Sequence, residues 1–190
     1  MEITLVTDNF KTIAQAKQFL EPLGIVVNNI KNNPFKIQAN SIEEVASYSA
    51  KSLSDELKTN VIKSETGLMV EALNGFPAAY TNYASDTIGE NGILKLLKDE
   101  DNRNACFVQA MAFCEYRKES VVFKSFTEGT IAKRKSGKYG WAWDYIFIPK
   151  GETKTLGSFK DDKRIKLIND SGFKQLVAYL KNNNLINQDN

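Results

Sequence analysis

The chain has 190 residues, 42% of them hydrophobic and 25% charged, and 25 basic against 23 acidic residues leave a net charge of +2. A chain of this length buries a core without disulfide or metal staples, and its balanced charge marks neither a dedicated nucleic-acid binder nor a membrane binder. With no histidine anywhere, Ser-His-Asp and Cys-His nucleophiles, His-ligated zinc and imidazole relays are excluded, which leaves carboxylates, lysines, hydroxyls or a hard metal ion for any chemistry.

Residues 3–7 read as a short buried strand, followed by a loop at Asp8-Asn9. Ile13, Ala16, Phe19, Leu20 and Leu23 then recur at helical spacing, and Gly24 stops that helix. A strand restarts at 25–27, and the polar stretch 28–40, broken by Pro34, reads as a loop. Ser41 with Glu44 three positions on is a capping-box start for a helix to about residue 57. Val61-Ile62 and Leu68-Met69-Val70 predict a strand interrupted by a turn at Thr66-Gly67, then a loop at 73–77. A helix follows over 83–97, weakened by Gly89 and Gly92.

The runs 105–115 and 120–126 predict an antiparallel hairpin turning at 117–119. A short strand at 146–148 precedes a last helix over 172–181, with Phe173, Leu176, Val177 and Leu180 on one stripe, and a polar tail. Cys106 and Cys114 sit inside the apolar run 105–114 and read as small buried hydrophobes in a reducing compartment. The N-terminus lacks the basic region and apolar run of a signal peptide, and no run reaches the ~18 apolar residues that span a bilayer. A soluble, cytoplasmic protein is the expectation. Strands alternating with helices around a central hairpin predict an α/β fold with a mixed sheet, and neither a repeat nor a linker marks a domain boundary.

Several segments resemble, in order and at matching spacing, the inosine/xanthosine triphosphate pyrophosphatase family in its archaeal form. The segment 71–80, Glu-Ala-Leu-Asn-Gly-Phe-Pro-Ala-Ala-Tyr, resembles one of its signatures, and Thr7-Asp8-Asn9 resembles its opening T-x-N loop. Ala50-Lys51 matches the end of its second helix; the stretches 87–94 and 101–105 resemble its middle, and Gly140-Trp141-Ala142-Trp143-Asp144-Tyr145-Ile146-Phe147 its G-F-G-Y-D-P-I-F motif. The resemblance implies an elongated mixed β-sheet flanked by helices, with residues 1–190 forming one domain of two lobes around a nucleotide cleft, usually in a homodimer. It also implies Mg²⁺-dependent hydrolysis of a nucleoside triphosphate to the monophosphate and pyrophosphate. Acidic side chains would hold the cation and lysines would neutralise the triphosphate.

Carried over residue by residue, the resemblance implies Glu65 and Lys51 as catalytic groups, with Glu65 also the metal ligand. Thr7, Asn9, Lys11, Ser64 and Thr66 fall on the phosphate side, and Trp141, Asp144, Lys163 and Asn169 on the base side. Departures are concentrated in the polar machinery. The acidic motif D-D-S-G-L reads Ser64-Glu65-Thr66-Gly67-Leu68, the acid of E-I-Q is Lys36, and the lysine of the first loop is Thr12, with Lys11 its neighbour. The base-gripping S-H-R falls on Leu167-Ile168-Asn169, and T-x-A-E reads Thr155-Leu156-Gly157-Ser158.

Taken as bare residues, Glu65 is equally a solvated strand-end acid, Lys51 a surface charge and the Trp141/Trp143 pair core. The basic cluster 133–138 reads most simply as a solvated loop tip, with a phosphate or nucleic-acid contact as its functional alternative. Two functions therefore stand: a triphosphate diphosphatase with a rebuilt base pocket and a thinned metal site, or a non-catalytic relative that binds a nucleotide or a macromolecular partner. A nucleoside triphosphate is the expected ligand, and neither a membrane nor a nucleic acid is an expected partner.

Overall fold

The computed structural model describes residues 1–31, 36–169 and 171–186, with the side chains of Phe10 and Lys11 outside the description. Six strands, β1 (Glu2–Val6), β2 (Val26–Ile30), β3 (Asn60–Val70), β4 (Asn104–Cys114), β5 (Ser120–Ile131) and β6 (Phe147–Pro149), form one sheet in the order β2-β1-β3-β4-β5-β6. β1 pairs parallel with β2 and β3, and β5 pairs antiparallel with β6, so the sheet is mixed. The helices are α1 (Phe10–Leu20), α2 (Ile42–Leu57), α3 (Thr81–Thr87), α4 (Gly89–Leu96), α5 (Asp161–Lys166) and α6 (Gly172–Asn182). This is the α/β fold expected from the sequence.

α2 starts as its sequence dictates. The Ser41 hydroxyl accepts from the Glu44 N–H at 3.2 Å, and the helix stops at Lys58, whose φ of 55° is left-handed. Elsewhere the structure corrects the expected boundaries. β2 runs on through Asn28 and Asn29, because this edge strand satisfies their amides: Asn28 donates to the Glu2 carboxylate, and Asn29 to the carbonyls of Leu5 (3.0 Å) and Thr7 (2.9 Å). Part of the loop expected at 28–40, residues 32–35, lies outside the described residues.

β3 is continuous through Thr66-Gly67, where a turn was expected. The helix expected over 83–97 is two helices, broken at Gly89 with φ of 57°. β5 extends five residues past Phe126; Gly129 allows this, since a Cβ there would stand 2.3 Å from the Ile148 carbonyl oxygen and 2.6 Å from the Phe147 ring. α5 and a 3₁₀ turn at Ala142–Tyr145 had no periodic signal.

The chain divides into two compact units. Unit 1 comprises Met1–Glu65, Gln109–Ser125 and Asp170–Asn190, and unit 2 comprises Thr66–Val108 and Phe126–Asn169. Unit 1 is built on Ile3, Leu5, Leu20, Ile62, Phe113, Phe173, Leu176 and Leu180, which seat α1 and α6 on the sheet. A second cluster of Val6, Leu53 and Val61 holds α2. Unit 2 packs Leu68, Val70, Ile93, Leu97, Ile131, Trp143, Phe147 and Leu156. Truncating one such fully buried Leu to Ala costs about 2–5 kcal/mol.

Candidate functional site

In unit 1, the carboxyl ends of the parallel strands β1 and β2 and the stretch of β3 that runs on past them gather polar groups, the usual place for a ligand in such a sheet. Asn29 fixes the exit of β1 by its two carbonyl contacts, and the Thr7 N–H donates to the Ile30 carbonyl at 3.1 Å. The chain then turns through Thr7-Asp8-Asn9, with the Asn9 N–H on the Thr7 hydroxyl at 3.1 Å, and enters α1, whose first turn carries no acid. That turn carries the positive end of a helix dipole.

Beside this loop, β3 carries Lys63, Ser64 and Glu65. Alternation along a strand puts Lys63 and Glu65 on one face and Ser64 and Thr66 on the other. The Lys36 ammonium donates to Glu65 Oε2 at 2.7 Å, with the Glu65 side chain 11% exposed and that of Lys36 46% exposed. Glu65 Oε1 and the Ser64 hydroxyl are buried with no hydrogen-bond partner among the described residues. Burial pushes the Lys63 ammonium below its ordinary pKa; Glu65 and Asp8 hold it up and Lys36 adds to the depression, so these groups sense one another. Lys31 pairs with Asp8 at 3.3 Å on the exposed rim.

Lys51 stands on α2 and pairs with Asp55 one turn on, which holds its ammonium above the ordinary value; Glu119 and the Cys114 thiol are its other charged or titratable neighbours. Lys11 belongs to α1, but its side chain lies outside the description. Unit 1 thus brings Thr7, Asn9 and Glu65 to one strand-end region.

The base-side residues fall in unit 2. Trp141 is 60% exposed and Trp143, inside the 3₁₀ turn Ala142–Tyr145, is buried. The Asp144 carboxylate accepts from the Trp141 N–H at 3.2 Å and from Arg164, whose other terminal nitrogen reaches Asp161 at 2.7 Å. Gly140, with φ of 77°, packs so closely that a Cβ would fall 2.1 Å from Asp144 Oδ2 and 2.6 Å from Arg164 Nη1. Arg164 had no sequence signal: twenty residues separate it from Asp144, and only the fold joins them.

Lys163 bonds Glu152 at 2.9 Å and covers the Phe159 ring at 4.2 Å. Asn169 is committed locally, its N–H to the Thr127 hydroxyl at 2.8 Å and its amide to the Phe126 carbonyl at 3.2 Å. The basic loop is solvated, with residues 133–138 all exposed, and its backbone is tied down. Lys138 and Tyr139 N–H groups both donate to the Gly157 carbonyl, Thr155 caps the Ser136 carbonyl, and a Cβ on Gly137 would lie 2.1 Å from the Gly157 backbone. A recess of about 950 Å³ lies elsewhere in unit 2, lined by Met69, Cys106, Val108, Phe126 and Ile148 and rimmed by Glu71; none of the expected site residues borders it.

The donor set does not fit a resident Mg²⁺. That ion takes near-octahedral oxygen ligands, often one or two carboxylates together with substrate phosphates. Here the β3 face offers one carboxylate, already held by an ammonium, and among the described residues no group of three or more His, Cys, Asp or Glu could hold a metal. Nor is any helix among them long and apolar enough to cross a membrane.

Comparison with known proteins agrees with the fold. The sequence pattern of the Ham1 family matches residues 3–170. The dITP/XTP pyrophosphatase of Methanopyrus kandleri is 36% identical over 184 residues, covering 96% of this chain and 98% of that protein. Its namesake from Thermococcus kodakarensis is 35% identical, covering 96% and 99%. The solved Ham1 protein of Staphylococcus aureus superposes with a TM-score of 0.82 at 25% identity over 96% of this chain and all of the other. A HAM1 protein from Coxiella burnetii shares the fold with a TM-score of 0.82 at 21% identity, covering 96% and 99%. From its first strand to the end of unit 2, this chain belongs to the Ham1 family.

Proposed function

We infer that the protein hydrolyses a nucleoside triphosphate to the nucleoside monophosphate and pyrophosphate. One water is consumed, its oxygen joining the phosphorus nearest the sugar as the bond to pyrophosphate breaks. The observation that carries this reading is the unit 1 cluster: the Thr7-Asp8-Asn9 loop, an acid-free first turn of α1, Lys36, Lys63 and a mostly buried Glu65, all at strand ends. Backbone N–H groups and ammonium groups are what a triphosphate needs. Relatives named dITP/XTP pyrophosphatases at 35–36% identity support the same reaction class.

Thr7, Asn9, Lys11, Ser64, Thr66 and Lys51 are the residues assigned to the phosphates. Trp141, Asp144, Lys163 and Asn169 are assigned to the base, with Arg164 in support of Asp144. Mg²⁺ is assigned to the substrate's own phosphate oxygens, arriving with the triphosphate, and Glu65, held by Lys36, to the catalytic step. The recess of unit 2 exposes Met69 and Phe126, a surface we assign to a second copy in a homodimer, to be checked by light scattering of wild type against Phe126→Glu.

A pyrophosphate-release screen over purine, pyrimidine and modified triphosphates with Mg²⁺ and Mn²⁺ tests the reading. Release with at least one triphosphate, abolished by Glu65→Gln, is the expected result. The Lys36–Glu65 ion pair favours a second reading, a relative that binds nucleotide without cleaving it. Nucleotide binding without release of pyrophosphate from any triphosphate would select that alternative.

A further inference from the structure

We propose that Lys36 acts as a tethered cation at the unit 1 cluster, so that this site captures polyphosphate without a divalent metal ion. The proposal rests on the triphosphate reading above and concerns the binding step alone. Lys36 Nζ carries three N–H donors, and one is used on Glu65 Oε2 at 2.7 Å. Nearly half exposed on a flexible stem, the same ammonium can hold Glu65 with one donor and phosphate oxygens with the others. A metal ion that bridges a carboxylate and a phosphate does the same work. Here the bridge is built into the chain.

The surroundings agree with an anionic guest. Lys31, Lys36 and Lys63 face two acids, Asp8 and Glu65, an excess of one positive charge before the helix end is counted. The first turn of α1 holds no carboxylate that would repel phosphate. A free Mg²⁺ meets the opposite situation. To use Glu65 it must displace the ammonium and then remain beside it, with Lys63 on the same strand face. Mg²⁺ bound to the guest also reduces the negative charge that Lys36 and Lys63 attract.

Calorimetric titration with inorganic tripolyphosphate, which has no base to engage unit 2, isolates this step. In EDTA the wild type is expected to bind tripolyphosphate, and 5 mM MgCl₂ is expected to leave the affinity unchanged or weaken it by up to about tenfold. Lys36→Arg keeps the charge and should stay within about threefold of wild type. The neutral pair Lys36→Gln with Glu65→Gln avoids a stranded buried carboxylate, so its fold, checked by thermal melting, is preserved while binding in EDTA falls tenfold or more.

Lys36→Glu should reverse the metal response, giving binding only with Mg²⁺. Wild-type binding that requires Mg²⁺, or binding in EDTA that the neutral pair leaves intact, overturns the proposal. So does a wild type that binds tripolyphosphate in neither buffer. Pyrophosphate release from nucleoside triphosphates, measured on the same preparation, reports separately on the hydrolase reading and can succeed where this one fails.

Discussion

Removing the Asp144 carboxylate tests how the base side of unit 2 is held. Asp144→Ala deletes the acceptor for the Trp141 N–H and for one arm of Arg164, whose side chain is 18% exposed against 13% for Asp144. Both bonds end on a charged carboxylate and are worth about 1.5–3 kcal/mol each, and the retained Asp161 contact keeps the expected loss at the lower sum, about 3 kcal/mol. Arg164 keeps Asp161 as a partner, which limits the penalty of leaving a cation half-stranded. For a chain of this size the loss corresponds to a Tm lower by roughly 6–12 °C.

Urea unfolding followed by the fluorescence of buried Trp143 measures it. Arg164→Met should cost about 2–3 kcal/mol alone, and the double variant should be less destabilised than the sum by about 1–2 kcal/mol, since neither charge is then left without its partner. Additivity within about 0.5 kcal/mol would refute the idea that the two residues form one coupled support beneath Trp141.

Gly140→Ala should destabilise by at least about 2 kcal/mol, because the new Cβ collides with that same carboxylate in a left-handed conformation; calorimetric melting checks it, and an unchanged Tm would reject the packing argument. Burial works to raise the Glu43 carboxyl, but the Lys124 hydrogen bond at 2.7 Å, the Lys124 charge and backbone N–H groups at the start of α2 together outweigh it, and the net pKa lies below the ordinary 4.5. Stability from this group is therefore present above pH 4.5 and lost as pH falls through the lowered value, and Lys124→Met should flatten that part of the stability-pH curve. Burial pushes the Cys106 and Cys114 thiols up, so native protein at pH 7.5 should react with a disulfide reagent at less than roughly a tenth of the unfolded rate; equal rates would contradict the burial. With Asn169 committed to Phe126 and Thr127, and neither His nor Arg at 167–169, preference for inosine over adenosine triphosphate should stay under about a hundredfold. A larger ratio in steady-state kinetics would identify another base donor.

What could be read in advance was local chemistry. The Ser41/Glu44 start of α2, the Gly24 stop after α1 and the stripe of α6 depend on neighbours within a turn, and each has its counterpart in the fold. β2 was shortened because Asn28-Asn29 looks like loop until the carbonyls of β1 are there to take the amides. In the bare residues the two units were illegible for a definite reason: three of their four boundaries, at 65/66, 108/109 and 125/126, fall inside β3, β4 and β5, where strand composition runs on without a linker. The substitution of Lys36 for an acid was visible, yet its ion pair with Glu65 spans 29 residues and exists only through the fold. The same holds for Arg164 and Asp144.

The contact between Gly137 and Gly157 fixes the path of the basic loop largely through backbone, with side-chain ties from Thr155 to the Ser136 carbonyl and from Lys135 to Glu90 at 3.2 Å. With Lys135 part of that frame, the sequence 133–138 separates into a frame and a set of interchangeable inserts. Lys133, Arg134 and Lys138 can be exchanged for acids, aromatics or a labelled cysteine without redrawing the loop, whereas a single methyl on either glycine would displace it. Drift in charge at positions 133, 134 and 138 then leaves the loop's path unchanged, because that path is set by Gly137, Gly157, Thr155 and Lys135.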